Sequence, residues 1–221
     1  MIVLIVAKTY MKDAFCIGAY DITTRENVRL LTKMGKNQPR NTEFDVGQVW
    51  NIEYEKRSDI RKPHIEDVLI EKYSFVKNIG NIKKFLTDNV PIWEGSPESI
   101  FYNKITYPIG RSGFLEKRHS DLAQSVGFWI PDKDLELTIL EDKKHFLYFG
   151  EQVYSFPYVG YMEKVEKISK GTLLRVSLTR WWSPYAKTIE KRCYCQLSGW
   201  YSPEFKTMNY SENNLEFDSV S

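Results

Sequence analysis

The sequence predicts a mainly β protein made of two successive five-stranded barrels with one or two short helices. Short stretches of period-two alternation recur along the chain, as half-buried strands require. The 14 Tyr, 12 Phe and 6 Trp residues, with many Val, Ile and Thr, suit a pleated surface better than a helix. A Pro-, Gly- and Ser-rich stretch at 91–113 divides the chain into halves of about five strands each. At 221 residues and 42% hydrophobic, the chain can bury one large core or two small ones. The division predicts a first barrel plus helix at 1–105, a second barrel at 106–205 and a flexible tail at 206–221. A single ten-stranded sandwich is the competing architecture.

Residues 1–7 (MIVLIVA) are apolar but too short for a signal core and run into Lys8, so they read as a buried first strand. Residues 14–22 give a second strand, a polar turn follows Asp21, and 27–31 return as its hairpin partner. A Gly- and Pro-containing loop at 33–41 leads to a strand at 48–55, in which Trp50, Ile52 and Tyr54 share one face. Residues 61–64 break the chain before an extended stretch at 66–75. Val76, Ile79, Ile82, Phe85 and Leu86 fall on helical rows, predicting a helix over 76–89 that Pro91 stops. After the junction, strands are expected at 125–130, 135–140, 145–149, roughly 152–161, 173–182 and 191–200.

The last two of these carry the clearest functional signal. Leu174, Val176 and Leu178 share one face and Arg175, Ser177 and Thr179 the other. Cys193, Cys195 and Leu197 point one way; Arg192, Tyr194, Gln196 and Trp200 point the opposite way. Faces that turn guanidinium forks, hydrogen-bonding groups and flat rings outward together are suited to phosphates and unstacked bases. Net charge is only +2, so overall charge does not argue for a polyanion. Lys170, Arg175, Arg180, Lys187, Lys191 and Arg192 face only Glu190 in that region, however, a local surplus of five. Trp181 and Trp182 are consecutive, so a strand sends one to the core and one outward, unless both wedge between barrels. Arg180 either reaches phosphate or pairs with Glu190.

Several strings together resemble the bacterial dual OB-fold domain family, in which two OB barrels lie in tandem. The strings are the acidic turn with Asn-Val-Arg at 21–31, FDVGQV at 44–49, PHIEDV at 63–68, SVGFWIP at 125–131, the 173–182 block and LSGWY at 197–201. They span nearly the whole chain to Tyr201. The resemblance implies a nucleic-acid or nucleotide ligand by analogy with other OB barrels, and an accessory role in bacterial defence or stress systems. It implies no reaction.

His64, with Glu66 and Asp67 nearby, forms a second candidate set. A histidine beside carboxylates suits proton transfer, or equally a structural lock on a capped turn. His119, with Arg111, Lys117 and Arg118, would extend a phosphate track or simply be solvated. His145 opens an aromatic strand as a half-buried filler. Three cysteines without zinc spacing predict buried free thiols and a reducing cytoplasm. No phosphate loop, nucleophile elbow or metal pattern is present in the sequence, no cofactor is expected, and no apolar run reaches a membrane span. The chain therefore reads as a non-catalytic binding module for single-stranded nucleic acid or nucleotides. A protein-interaction adaptor using the same Arg/Trp/Tyr surface is the alternative, and a nucleotide-processing enzyme centred on His64 a third.

Overall fold

The computed structural model describes residues 1–140, 142–162, 165–183 and 190–202. Lys187, counted in the basic surplus, and the tail expected at 206–221 lie outside the described residues. The protein is mainly β, 53% strand and 7% helical, in two OB-like units, a closed five-stranded barrel and a curled half-barrel sheet.

In the first unit β1 (Ile2–Met11), β2 (Ala14–Asp21), β3 (Glu26–Leu31), β4 (Gln38–Pro39), β5 (Gln48–Lys56) and β6 (Asp67–Asn78) follow in order. β1 pairs antiparallel with β2 and β5, β2 with β3, and β5 with β6. β3 runs parallel to β6, which closes the ring. β4 covers only the start of β2. Val3, Ile5, Ile17, Ala19, Val28, Leu30, Trp50, Ile52, Val68 and Ile70 fill the interior. Leu4 and Val6, on the reverse face of β1, are buried too, in a separate core. With both faces covered, the alternation vanishes and the strand reads as one apolar run.

The helix is shorter than its periodicity suggests. β6 stays paired with β5 out to Asn78, leaving Val76 extended and exposed. Only α1 (Ile82–Asn89) is helical, started by Asn81, whose side chain accepts the Lys84 amide at 2.8 Å. Its Ile82 and Leu86 pack against Leu4, Val6 and Tyr20 of the barrel's outside.

The second unit comprises β7 (Ile92–Gly95), β8 (Ile105–Thr106), β9 (Phe114–Leu115), β10 (Val126–Pro131), β11 (Leu135–Leu140), β12 (Lys143–Phe149), β13 (Val153–Pro157), β14 (Lys167–Ile168), β15 (Leu173–Leu178) and β16 (Cys193–Tyr201). One sheet has the order β7-β10-β15-β16-β9-β8, a smaller one β13-β12-β11-β14. They share a core of Trp129, Phe146, Phe156, Val176, Cys195, Leu197 and Trp200. The stretch read as a junction contains β7, β8 and β9, and β7 lies parallel to β10. The two units meet over a third core, where Phe128, Leu173 and Tyr201 reach the barrel face formed by Leu4, Val6 and α1. Burying each such side chain contributes about 1.5–3 kcal/mol relative to leaving it in water.

Candidate nucleic-acid interface

Beside that apolar core runs a polar seam, anchored by residues at the start of β6. Both oxygens of Glu66 are taken by Ser125 of the second unit, by its amide at 2.5 Å and its hydroxyl at 2.9 Å. Burial raises the Glu66 carboxyl above its ordinary value, and these two donors only partly offset that. Asp67 stands opposite Arg29 in the parallel β3–β6 register. Arg29 grips it bidentately, Nε to Oδ1 at 2.6 Å and Nη2 to Oδ2 at 2.8 Å. Arg180 of the second unit donates Nη2 to Oδ2 at 2.7 Å, and Arg57 comes within 3.6 Å. Burial pushes the Asp67 carboxyl up, but the guanidiniums of Arg29 and Arg180 outweigh it and hold it below the usual carboxylate value. Arg180 thus crosses between the units to Asp67 instead of pairing with Glu190.

His64 is buried, with Nε2 3.2 Å from the Leu178 carbonyl. Desolvation first, then the Arg180 charge, lowers its pKa to about 4, so the ring is neutral near pH 7 and Nε2–H donates to that carbonyl. The Trp181 indole donates to the Lys62 carbonyl at 2.9 Å. The contacts to Ser125, Leu178, Arg180 and Trp181 join the 62–67 segment to the second unit, while Arg29 and Arg57 hold Asp67 from within the first.

The seam opens into a cleft of about 620 Å³ lined by Arg29, Arg57, Asp59, Ile60, Arg61, His64, Asp67, Arg180, Trp181 and Lys191. Five cations face two carboxylates, a surplus of three. The β5–β6 loop, residues 57–66, supplies one wall; in OB barrels the loop joining the fourth and fifth barrel strands belongs to the ligand-binding region. The other wall is the chain around Trp181 and Lys191, where Trp182 and Arg192 exchange backbone hydrogen bonds at 3.0 and 2.8 Å. On this hairpin Trp182 is 56% exposed and lies 5.9 Å from the Tyr194 ring. The Arg192 guanidinium sits 3.8 Å over Phe114.

Three sequence expectations need correction. Arg175 does not face solvent. β15 is a central strand buried on both faces, because the first barrel docks on the face that alternation marks as outward. Arg175 bonds the Ser198 hydroxyl at 2.9 Å, leaves Nε without a partner and presses on the bare backbone of Gly18, where a Cβ would lie 2.6 Å from its Nη2. Trp200 is buried as well. A register shift at Arg175/Val176 in the β15–β16 ladder reverses the parity beyond Leu197, which sends Trp200 into the core with Cys193 and Cys195. The basic surplus is also reduced: Arg175 is buried and Arg180 is paired with Asp67. Gln196 is half-buried and donates to Ser177 at 3.3 Å.

Sequence reasoning brought His64, Asp67, Arg180, Trp181 and Lys191 forward in two separate sets; the fold lines one cleft with both. It missed Arg29, Arg57 and Arg61. Arg29 carried a signal, an outward cation between the inward Val28 and Leu30. His119 lies in a short 3₁₀ turn and His145 Nδ1 is 2.7 Å from the Ser155 hydroxyl. Burial pushes the Cys193 and Cys195 thiols up to about 12. Among the described residues no group of three or more His, Cys, Asp or Glu is placed to hold a metal, and no helix is long and apolar enough to cross a membrane.

A family model described as "Dual OB-containing domain" matches residues 1–200. A search of curated proteins finds no match. Among solved structures, a murine chain described as "Structure of murine DNA binding protein bound with ds DNA" is 12% identical, with 92% of this chain and 94% of that chain covered at a TM-score of 0.30. A likeness that slight carries no argument about fold or ligand.

Proposed function

Since the chain belongs to the dual OB-containing domain family, we propose that the cleft between its two units captures single-stranded nucleic acid or nucleotides without catalysing their turnover. The observation that carries this is the surplus of three cations along the cleft, with Trp181 on its wall and the exposed Trp182 next to it. Arg61 and Lys191 are exposed and serve phosphates, while a base stacks on Trp182 or Tyr194. Single strands are favoured over duplexes because flat rings need unstacked bases. His64, Glu66 and Asp67 then hold the cleft's shape, since each is engaged across the seam. The accessory role in bacterial defence or stress that the family resemblance implies fits a module that binds and leaves chemistry to a partner.

Quenching of tryptophan fluorescence by a short oligothymidylate tests the reading. Affinity is expected to fall steeply with salt, and Arg61→Ala and Lys191→Ala each to flatten the log–log salt slope by about 0.7, the single-strand value per phosphate contact. No quenching by DNA, RNA or mononucleotides would remove the proposal. A stable protein partner captured with those titrations silent would favour the adaptor.

A further inference from the structure

β6 is 12 residues long, and only its start is flanked on both sides. β3 covers one edge at Asp67–Leu69 alone. From Lys72 to Asn78 the strand pairs with β5, and among the described residues nothing pairs with its other edge. Every residue from Glu71 to Asn78 is exposed. The amides and carbonyls along such an edge have only water to bond, which makes it a template for another strand. Rings sit beside it. Opposite Ile52 and Trp50 in the ladder, Tyr73 and Phe75 lie on the side of the sheet that faces the barrel interior. Trp50 backs them at centroid distances of 5.6 and 5.4 Å, and Phe44 backs Tyr73 at 5.0 Å. Even so, Tyr73 is 49% exposed and Phe75 50%.

The order of residues along this edge matches a second copy of itself. When two copies run antiparallel about a two-fold axis through Ser74, Tyr73 of each stands opposite Phe75 of the other, and Glu71 meets Lys77 at both ends. No neighbouring register does this. A slip of two residues sets Tyr73 against Lys77 or Phe75 against Glu71, and a slip of one turns the rings towards the polar face. Lysines ordinarily keep exposed edges apart, and this register disarms both of those present. Lys72 is already paired with Glu53 at 3.2 Å. Lys77, which no carboxylate holds among the described residues, gains Glu71 of the other copy. Lys33 engages only Oε1 of Glu71, at 2.9 Å, so Oε2 can accept the second ammonium.

We propose that the open edge of β6 is a homodimer interface, pairing antiparallel with the β6 of a second copy so that the two β5–β6 ladders join into one sheet. None of Tyr73, Ser74, Phe75 or Lys77 lines the cationic cleft, so the inference stands apart from what that cleft binds. The assembly carries two such clefts, one on each copy.

Sedimentation of the intact chain over a concentration series is expected to show a monomer–dimer equilibrium. Ser74→Cys places a thiol on the two-fold axis, where facing Cα atoms stand about 4.5–5.5 Å apart, within disulfide reach. Under mild oxidation this variant is expected to form covalent dimers. Lys72→Cys, about 14 Å from its own copy in this register, is expected to form none, and neither is the unaltered chain with Cys16, Cys193 and Cys195. Lys77→Glu should weaken the dimer roughly 5-fold or more, since attraction at both ends becomes repulsion. Combining it with Glu71→Lys should recover most of that loss, which also shows that the single variant had folded. Equal crosslinking of Ser74→Cys and Lys72→Cys, or a double variant no better than the single, would overturn the register and the proposal with it. A monomer at every concentration would overturn it outright; amides at 72–78 that resist hydrogen exchange in that monomer would assign the edge to another segment of the same chain.

Discussion

Replacing Asp67 by Asn removes one negative charge from beneath three guanidiniums while keeping the side chain's shape. Asp67 is 4% exposed, whereas Arg29 is 23% and Arg180 46% exposed. Breaking a buried ion pair by removing one partner costs about 3–5 kcal/mol. Arg180 can recover hydration, which discounts the loss to about 2–3 kcal/mol. For a chain of this size each kcal/mol moves the melting midpoint by about 2–4 °C, so the expected drop is about 4–12 °C. The same change raises the cleft's surplus of cations from three to four, so oligonucleotide binding by the folded variant should tighten. Calorimetric melting beside a fluorescence titration measures both. Lys33→Ala, which breaks the exposed pair with Glu71, is the control and should leave the midpoint in place. A midpoint for Asp67→Asn within 2 °C of the unaltered chain would refute the view that this carboxylate locks the units together.

Protonation of the unfolded chain at His64 should cost stability in acid. Its folded pKa of about 4 lies below the ordinary 6.5, so the unfolded state binds the extra proton between those values and stability falls as pH drops through that window, by about 3 kcal/mol in full. Melting from pH 7 to 4 should show His64→Gln losing less than the unaltered chain over that range; parallel losses would refute it. The Asp67 contribution runs lower: it is present above the ordinary carboxylate range and lost only as pH falls through its depressed value. Arg175→Met should leave stability within about 1 kcal/mol, because a buried, partly unsatisfied cation gives way to an apolar chain of similar length. It should also leave oligonucleotide affinity unchanged, and a loss of binding would return Arg175 to the interface. Gly18→Ala should destabilise by about 1–3 kcal/mol in denaturant melts, since its methyl group meets the buried Arg175 guanidinium; a neutral result would mean that the guanidinium can swing aside.

The sequence made the long strands legible because burying one face leaves a period-two trace, as in β3, where Val28 and Leu30 face in and Arg29 out. It could not reveal β4, β8, β9 or β14, which are two residues long and carry no period at all. Val76 falls on a helical row by coincidence, and β6, paired with β5 out to Asn78, overrides it. The principal misreading, at Arg175, has a general cause: alternation distinguishes two faces of a strand but does not say whether the polar one meets water or another domain. Trp200 depends on a bulge that local sequence does not announce. The cleft was half legible for a similar reason. Its cations come from β3, the 57–66 loop and the 180–191 region, and only the parallel β3–β6 pairing and the docking of the two units bring them together.

The double burial of β1 bears on how the chain comes to be finished. Leu4 and Val6 on that strand, with Ile82 and Leu86 on α1, keep an oily flank until Phe128, Leu173 and finally Tyr201 arrive from later in the chain. During synthesis β1 therefore waits for β16, and a polypeptide halted near Pro91 would present that flank to whatever it met. The halves are not transplantable cassettes: a graft of either into another protein would need a substitute for the face that its sibling supplies.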